Sequence, residues 1–486
     1  MNSEATPLLS TAQETRPGER FGRENVKNAL TEITLLLKFA VPVFGAQILE
    51  YSLILVSAVS LGHLSTQALA ASSLSSITAT VTGLSLVHGF ASALDSLLPQ
   101  AWTSERPGDV GLWAQRMIVV EGIVMVPVVG IWLNAEPILL HLRQEPEIAR
   151  LAGIYLRWFT LCLPGLIVSV VTRRYLQAQG IMHAQTIVTA IAAPANLFLN
   201  WLLVWGPPPF RLGFIGAPIA SSLSFTLMAV VSVLYTYLYV PKTAWHPVGR
   251  HTLQGLGRLF KLGLEGTGQI ASEWWSWEFI GLTSSQFGPI SLASQSVLLI
   301  SASVAFQAPY SLGMAATVRV GNALGAGNAH RGKVAAQTAI GMSVVIALIM
   351  STIIMLSRNR WSYMFNDDKE VAGLVSNVLP LLALFQIVDG ATAVTDGVLR
   401  ATGRLGYGAV INLTAYYCVG IPLAMYLAFW RDMKLKGLWT GITAALFYAA
   451  TVSVYLVLRT DWSKEVEKAK KRLERENEAE VPHSSV

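Results

Sequence analysis

The sequence is poor in charge and in cysteine. Charged side chains make up 13% of its 486 residues, whereas an ordinary soluble protein has about 25%. The two cysteines, Cys162 and Cys418, both lie inside apolar stretches, which argues against a disulfide framework or a cysteine-based metal site. The N-terminal segment is polar and lacks an apolar core, so no cleavable signal peptide is expected.

Long apolar stretches fill most of the chain. Hydrophobic residues make up 53% of it, and the mean hydropathy is +0.49. Twelve stretches are long enough to cross a bilayer: 36–61, 70–98, 114–134, 152–172, 181–205, 212–240, 259–282, 290–316, 334–357, 373–399, 405–429 and 437–459. This pattern predicts a polytopic helical membrane protein. The pI near 9.2 therefore does not suggest a nucleic-acid partner, and the distribution of Lys and Arg favours cytoplasmic termini.

The two halves of the chain are related by one fixed offset. A shift of 223 positions places Lys38 on Lys261 and Glu50 on Glu273, and it aligns the segment at 176–180 with that at 399–403. We predict two six-helix lobes related by a pseudo-two-fold axis along the membrane normal. Repeats of this kind are typical of transporters whose substrate site lies near mid-membrane. The predicted divisions are a tail at 1–34, an N-lobe at 35–245, a C-lobe at 246–460 and a charged tail at 461–486.

Two glutamates, Glu273 and Glu278, lie inside the seventh apolar stretch. A carboxylate at mid-membrane costs a few kcal/mol on insertion scales, so such residues usually mark a substrate or proton path. At about 100° per residue, Trp274 and Trp277 share one helix face with the two acids, whereas Trp275 points away. An acidic and aromatic face suits an organic cation held by charge and by cation–π contact.

Glu50 and Asp389 are further acids inside predicted spans. Several carboxyls in one low-dielectric lobe can hold a proton and release it when a cation arrives, which is the basis of proton/cation exchange. Alternatively, each of these carboxyls makes only a structural hydrogen bond.

Asp95 and Arg319 lie at nearly equivalent ends of the second and eighth spans, where they could pair as an inward-side latch. We favour the alternative that they are interfacial charges or caps. Asp396, Arg400 and Arg404 are interpreted as the charged cytoplasmic end of the tenth span. His88 is interpreted as a packed histidine, with proton relay as the alternative.

Several strings of residues resemble the multidrug and toxic compound extrusion (MATE) transporters, in their eukaryotic branch. The matching strings are Gly62-His63-Leu64, Ala93-Leu94-Asp95-Ser96, Leu176-Gln177-Ala178-Gln179-Gly180, Glu273-Trp274-Trp275-Ser276-Trp277-Glu278, Gly321-Asn322-Ala323-Leu324-Gly325 and Gly397-Val398-Leu399-Arg400-Ala401-Thr402-Gly403. They run through nearly all of the hydrophobic part.

The resemblance implies an all-α, V-shaped fold of twelve transmembrane helices and an antiporter that exchanges organic cations for protons. It also implies that Glu273, Glu278 and Asp389 bind proton and substrate, and that Gln47, Trp274 and Trp277 line the cavity. Two departures are visible. Uncharged residues stand at 296–301, where some animal relatives have a glutamate, and Glu50 stands near the place of an N-lobe aspartate of prokaryotic relatives.

The leading hypothesis is therefore a proton-coupled antiporter in the bilayer, with no enzyme activity, no cofactor and no metal. The alternatives are sodium coupling, a lipid-linked precursor flippase of the same superfamily, which should have a cationic cavity, or a membrane-embedded enzyme or receptor. A sorting signal of the acidic di-leucine form at 4–9 would direct the protein to vacuolar or endosomal membranes; otherwise it resides in the plasma membrane. The C-terminal run 461–480 is expected to be a solvated helix, with anionic headgroups as a possible contact.

Overall fold

The computed structural model describes residues 21–365 and 368–480. These residues form helices joined by short turns, and the described ranges contain no β-strand. The proposed sorting signal at 4–9 lies outside them. An all-α fold agrees with the prediction, and its physical reason is that a helix satisfies its own backbone hydrogen bonds inside lipid.

The described part of the first half contains ten α-helices. They are α1 (Phe21–Leu64), α2 (Thr66–Ala79), α3 (Ser85–Ala91), α4 (Leu94–Trp102), α5 (Asp109–Leu133), α6 (Ala135–His141), α7 (Pro146–Phe159), α8 (Cys162–Ala178), α9 (His183–Asn200) and α10 (Gly216–Tyr239). A π-helical turn at Thr80–Leu84 joins α2 to α3, so α2 to α4 form one long interrupted span.

The second half contains eight more. They are α11 (Leu256–Ser285), α12 (Pro289–Gly325), α13 (Ala329–Trp361), α14 (Lys369–Ala401), α15 (Leu405–Leu413), α16 (Ile421–Met425), α17 (Lys434–Leu458) and α18 (Trp462–Glu480). Two π-helical segments, Thr414–Gly420 and Tyr426–Trp430, flank α16.

Ten helical segments in the described ranges are long and apolar enough to cross a membrane, or eleven if the bent pair α7 and α8 forms one span. The 30-residue helix α11 is not among them, because Glu265, Glu273, Glu278 and two basic residues lower its hydropathy. The chain is thus a multi-pass membrane protein, and the count of twelve spans stays a prediction.

The two halves contact each other through reciprocal helix pairs. Helix α1 packs on α12, and α11, the repeat partner of α1, packs on α3. The second contact is close because α11 has glycines there: a Cβ on Gly266 would lie 2.4 Å from the Gly89 carbonyl oxygen, and one on Gly263 would overlap the Phe90 ring. These contacts follow the offset of the repeat, although the exact lobe boundaries remain a prediction.

One end of the molecule, which we call the tail-side end, carries the start of α1, the last turns of α4, α12 and α14, and helix α18. The structure corrects the expectation of a merely solvated C-terminal helix, because α18 docks on the protein here. Trp462 and Glu465 are buried, and Glu465 accepts a hydrogen bond from Arg404 at 2.6 Å. Apolar residues on one face of α18 find an apolar surface to cover, while its lysines stay in solvent.

Helix α18 also joins the two halves. Arg472 donates to the Gln100 side chain at 3.2 Å and to the Thr402 carbonyl oxygen at 3.1 Å. Gln100 in turn donates to the Ala401 carbonyl oxygen at 2.7 Å. The tail-side end is therefore closed by polar contacts that cross from one half to the other.

Candidate functional site

A group of acids lies between α11 and α14 in the second half. Asp389 is 5% exposed and interacts electrostatically with Glu273 and with Asp396. The side chain of Tyr416 interacts with all three of these acids. The structure therefore brings together two of the predicted coupling residues, Glu273 and Asp389. Three carboxylates in a low-dielectric setting repel one another unless a proton or a cation neutralises them.

Asp396 is a member of this group that the sequence interpretation missed. It is 6% exposed and lies seven residues after Asp389, which places both side chains on one face of α14 at about 100° per residue. That spacing was the available signal. The sequence assigned Asp396 to the helix end because a basic residue, Arg400, follows it one turn later.

Glu278 is half-buried and stands apart from the other acids. Only burial acts on the charge of its carboxyl, whereas Glu273, Asp389 and Asp396 also act on one another electrostatically. Among the described residues, no hydrogen bond or ion pair is found for Glu273, Glu278 or Asp389. These carboxyls therefore have the free bonding capacity that a transported proton or cation requires.

Glu50 has a different setting from its repeat partner Glu273. Both Glu50 carboxylate oxygens lie 2.8 Å from Nη2 of Arg173 on α8. This pair favours the structural alternative for Glu50, because an arginine already neutralises its charge. The offset of 223 positions places Arg173 on Asp396, so the second half has an acid where the first half has a base.

Gln47 lines a small polar cavity beside this pair. The other lining residues are Val43, Ala46, His88, Arg173, Arg174, Gln177, Gln185, Tyr310 and Met314. The predicted role of Gln47 in lining a substrate cavity stays a prediction. His88 lies there too and also faces the ring of Trp274 across the contact between the halves, with ring centroids 5.5 Å apart.

The predicted cavity tryptophans of α11 have different ring neighbours. Trp274 faces His88, but Trp277 packs against Phe385 and Trp439 at 5.5 Å from each ring centroid. Trp277 is half-buried beside these two rings, and its expected place in the cavity stays a prediction. Trp275, which was expected to point away, donates to the Val81 carbonyl oxygen at 3.1 Å.

The proposed latch between Asp95 and Arg319 is not found, and this prediction is corrected. Arg319 instead donates to Glu32 on α1 at 3.1 Å. Asp95 accepts from Arg174 at 3.0 Å and from Arg400 at 3.1 Å. Because Asp95–Arg400 and Glu32–Arg319 each join one half to the other, both predicted gate residues lie in buried ion pairs at the tail-side end.

Glu121 on α5 is a second residue that the sequence interpretation missed. Its side chain is 0% exposed, and neither carboxylate oxygen has a hydrogen-bond partner. Arg174 is the one charged group whose influence on it is resolved. A single acid in the third apolar stretch was visible in the sequence, and intramembrane acids are rare enough to be noticed.

No group of three or more His, Cys, Asp or Glu residues in the described ranges is arranged to hold a metal ion.

Comparison with known proteins identifies what this arrangement is similar to. The MatE family profile matches twice, over residues 42–202 and 268–426. An uncharacterized transporter of Schizosaccharomyces pombe is 38% identical over 450 residues, covering 93% of this chain and 83% of that protein. The zebrafish (Danio rerio) multidrug and toxin extrusion protein 1 is 34% identical, covering 91% and 75%. The crystal structure of the eukaryotic MATE transporter AtDTX14 matches with a TM-score of 0.86 at 32% identity, covering 92% of this chain and all of that one.

Proposed function

The chain belongs to the MatE family of membrane transporters, and we propose that it exchanges organic cations for protons by alternating access. Family members are transporters, not enzymes. The proton coupling, the positive charge of the substrate and the antiport mechanism are the parts that we propose. The observation that carries them is the group Glu273, Asp389 and Asp396, whose shared negative charge is matched only by the nearby Arg400.

The proposed cycle follows from this excess of acid. When the carboxyls are ionised, an organic cation lowers their repulsion and binds. When protons neutralise them, the attraction for the cation is lost and it leaves. Each carboxyl can hold a proton or help to hold the cation, and this mutual exclusion is the physical basis of exchange.

Closure at one end supplies the second requirement of alternating access. The Asp95–Arg400 and Glu32–Arg319 pairs join the two halves at the tail-side end, and we propose that they close this end in the present conformation. Opening requires both buried pairs to separate. Because an unpaired buried charge is strongly unfavourable, we propose that these pairs keep the two sides from being open together.

The flippase alternative requires a cationic cavity for a pyrophosphate. The cavity beside Gln47 contains Arg173 and Arg174, but Glu50 and Asp95 accept hydrogen bonds from them. Both arginines are therefore already bound to acids, and this observation does not favour an anionic lipid as substrate.

Transport by the purified full-length protein in proteoliposomes tests the proposal. A fluorescent organic cation and an organic anion of similar size are offered under an imposed proton gradient, an imposed sodium gradient or neither. We expect the proton gradient to drive accumulation of the cation alone. Accumulation that follows only the sodium gradient would show that sodium, and not the proton, is the coupling ion. Accumulation of the anion would contradict the proposed substrate class.

The membrane of residence is a separate proposal. We propose a vacuolar or endosomal membrane, on the basis of the di-leucine pattern at 4–9. Replacing both leucines, Leu8 and Leu9, with alanine should move a fluorescently tagged protein to the plasma membrane. An unchanged location would contradict a role for this pattern.

A further inference from the structure

Asp396 occupies a place between the acids and the closed end. On α14, Asp389, Asp396 and Arg400 fall within an arc of roughly 40° at ~100° per residue, so they form one row along the helix. The row begins at the coupling acids and ends at Arg400, which binds Asp95 across the contact between the halves.

The two oxygens of Asp396 have unequal surroundings. The Oδ2 atom accepts a long hydrogen bond from Nδ2 of Asn412 at 3.4 Å. The Oδ1 atom is buried and has no hydrogen bond within 3.5 Å, and the side-chain amide of Gln269, which is also without a hydrogen bond, lies near the carboxyl. A buried ionised carboxylate needs donors at both oxygens, whereas a protonated carboxyl carries its own hydrogen. The surroundings of Asp396 in this conformation therefore suit the neutral acid.

Arg400 interacts with two acids, Asp95 and Asp396. Its Nε donates to Asp95 at 3.1 Å, and it also interacts electrostatically with Asp396, one helical turn away. Asp95 would not be left alone if Arg400 departed, because Arg174 binds its other oxygen at 3.0 Å. Arg400 can thus exchange one acid for the other without leaving a buried aspartate unpaired.

We propose that Asp396 is a proton-binding site, which holds its proton while Arg400 binds Asp95 and releases it when the tail-side end opens and Arg400 turns to Asp396. This inference rests on the proposed function and names a site within it. On release, the O–H bond of the Asp396 carboxyl breaks, the proton passes to water at the tail-side end, and the carboxylate pairs with the guanidinium. Proton release is thereby tied to opening of one side.

Other charged groups near α14 do not replace Arg400 in this role. The acids that influence one another are Glu273 on α11 and Asp389 and Asp396 on α14, and Tyr416 is the phenol beside them. On α12, Arg319 is bound to Glu32. On α4, Asp95 is bound to Arg174 and to Arg400. Arg400 is the one basic group with a resolved influence on Asp396.

The number of protons exchanged per cation tests the proposal. In proteoliposomes, a known pH gradient drives flow of the cation, and an opposing cation gradient is raised until that flow stops. The ratio of protons to cations follows from the two gradients at this point. We expect Asp396→Asn to exchange one proton fewer than the wild type, and Asp396→Glu to restore the ratio. Glu474→Gln, an exposed acid on α18, is the matched control and should keep the wild-type ratio. A wild-type ratio in Asp396→Asn would overturn the proposal.

Infrared difference spectroscopy on the purified protein gives a test that does not depend on transport. A pH change should produce a protonated-carboxyl band in the wild type that is missing in Asp396→Asn. The band should also be missing in Asp95→Asn, because this variant frees Arg400 to bind Asp396. Asp95→Asn therefore tests the proposal even if Asp396→Asn fails to fold. Persistence of the full band in Asp95→Asn would overturn the proposal. If the wild type shows no proton-driven cation transport at all, the proposed function fails instead.

Discussion

The two halves of the molecule treat equivalent acids in opposite ways. In the first half, Glu50 binds Arg173 with both oxygens at 2.8 Å. In the second half, Glu273 stands at the equivalent position with no ion pair in the described part of the chain and shares its surroundings with Asp389 and Asp396. The comparison shows that a repeat conserves the place of a side chain while its neighbours decide whether that side chain is free to exchange a ligand.

The largest effect is expected from neutralising these two equivalent acids. Glu273→Gln should lower proton-driven cation uptake by at least about tenfold, or about 1.4 kcal/mol, because it removes a free carboxyl. Glu50→Gln should change uptake less, because Arg173 already neutralises Glu50. Initial rates in proteoliposomes, corrected for the amount of folded protein, measure both. Equal losses would mean that the halves do not differ in this way.

The ion pair Glu32–Arg319 belongs to both halves, since each half supplies one member. Removing one partner of a buried pair costs about 3 kcal/mol, so Arg319→Gln should favour opening of the tail-side end. The exchanged double variant Glu32→Arg with Arg319→Glu should restore closure.

Labelling of a cysteine introduced at Ala315 reports this opening, because Ala315 is buried where α1 meets α12. The exposed Cys418 is first replaced by serine. Faster labelling in Arg319→Gln than in the exchanged variant is the expected result. Equal labelling in both would show that the pair does not hold the end closed.

Arg173→Met would make the first half resemble the second. Glu50 would become an unpaired, partly exposed acid, and we expect a loss of about 2 kcal/mol of stability, below the value for a fully buried pair. Thermal unfolding of the purified protein in detergent measures the loss. The double variant Arg173→Met with Glu50→Gln should recover most of it, and no recovery would indicate that Arg173 acts through packing alone.

The smallest effect is expected at Glu121, the acid of the first half that lacks a hydrogen-bond partner. Glu121→Leu replaces it with an apolar side chain of similar size, and the change in stability should be about 1 kcal/mol or less, of either sign. The same unfolding assay measures it. A loss as large as that of Arg173→Met would show that Glu121 has a partner in the conformation that dominates in solution.

The sequence predicted the helical membrane architecture, and the agreement has a simple cause. Apolar length and the need to satisfy backbone groups in lipid leave little choice of secondary structure. It also identified Glu273, Asp389 and Glu50 as intramembrane acids, since a charge in an apolar run is conspicuous. The α11 span was predicted from the apolar stretch 259–282, but its acids lower its hydropathy, and α11 is not among the helices apolar enough to be assigned to the membrane by composition.

The sequence could not predict which charges would meet. Asp95 and Arg319 were named as a possible latch, with interfacial charges or caps as the favoured interpretation, but they bind Arg400 and Glu32, which lie 305 and 287 positions away along the chain. Asp396 was interpreted as part of a charged helix end, because its burial depends on Asn412 and Gln269, which lie on other helices. Helix α18 was expected in solvent because the surface that it covers is formed by segments distant in the sequence.

By itself, the order of residues determined where helices run, that the chain repeats, and which acids must enter the membrane, because these follow from local hydropathy and spacing. Only the tertiary structure decided which acids are neutralised and which stay free. An ion pair forms within about 3–4 Å, and that separation is fixed by the packing of helices from both halves rather than by any local pattern.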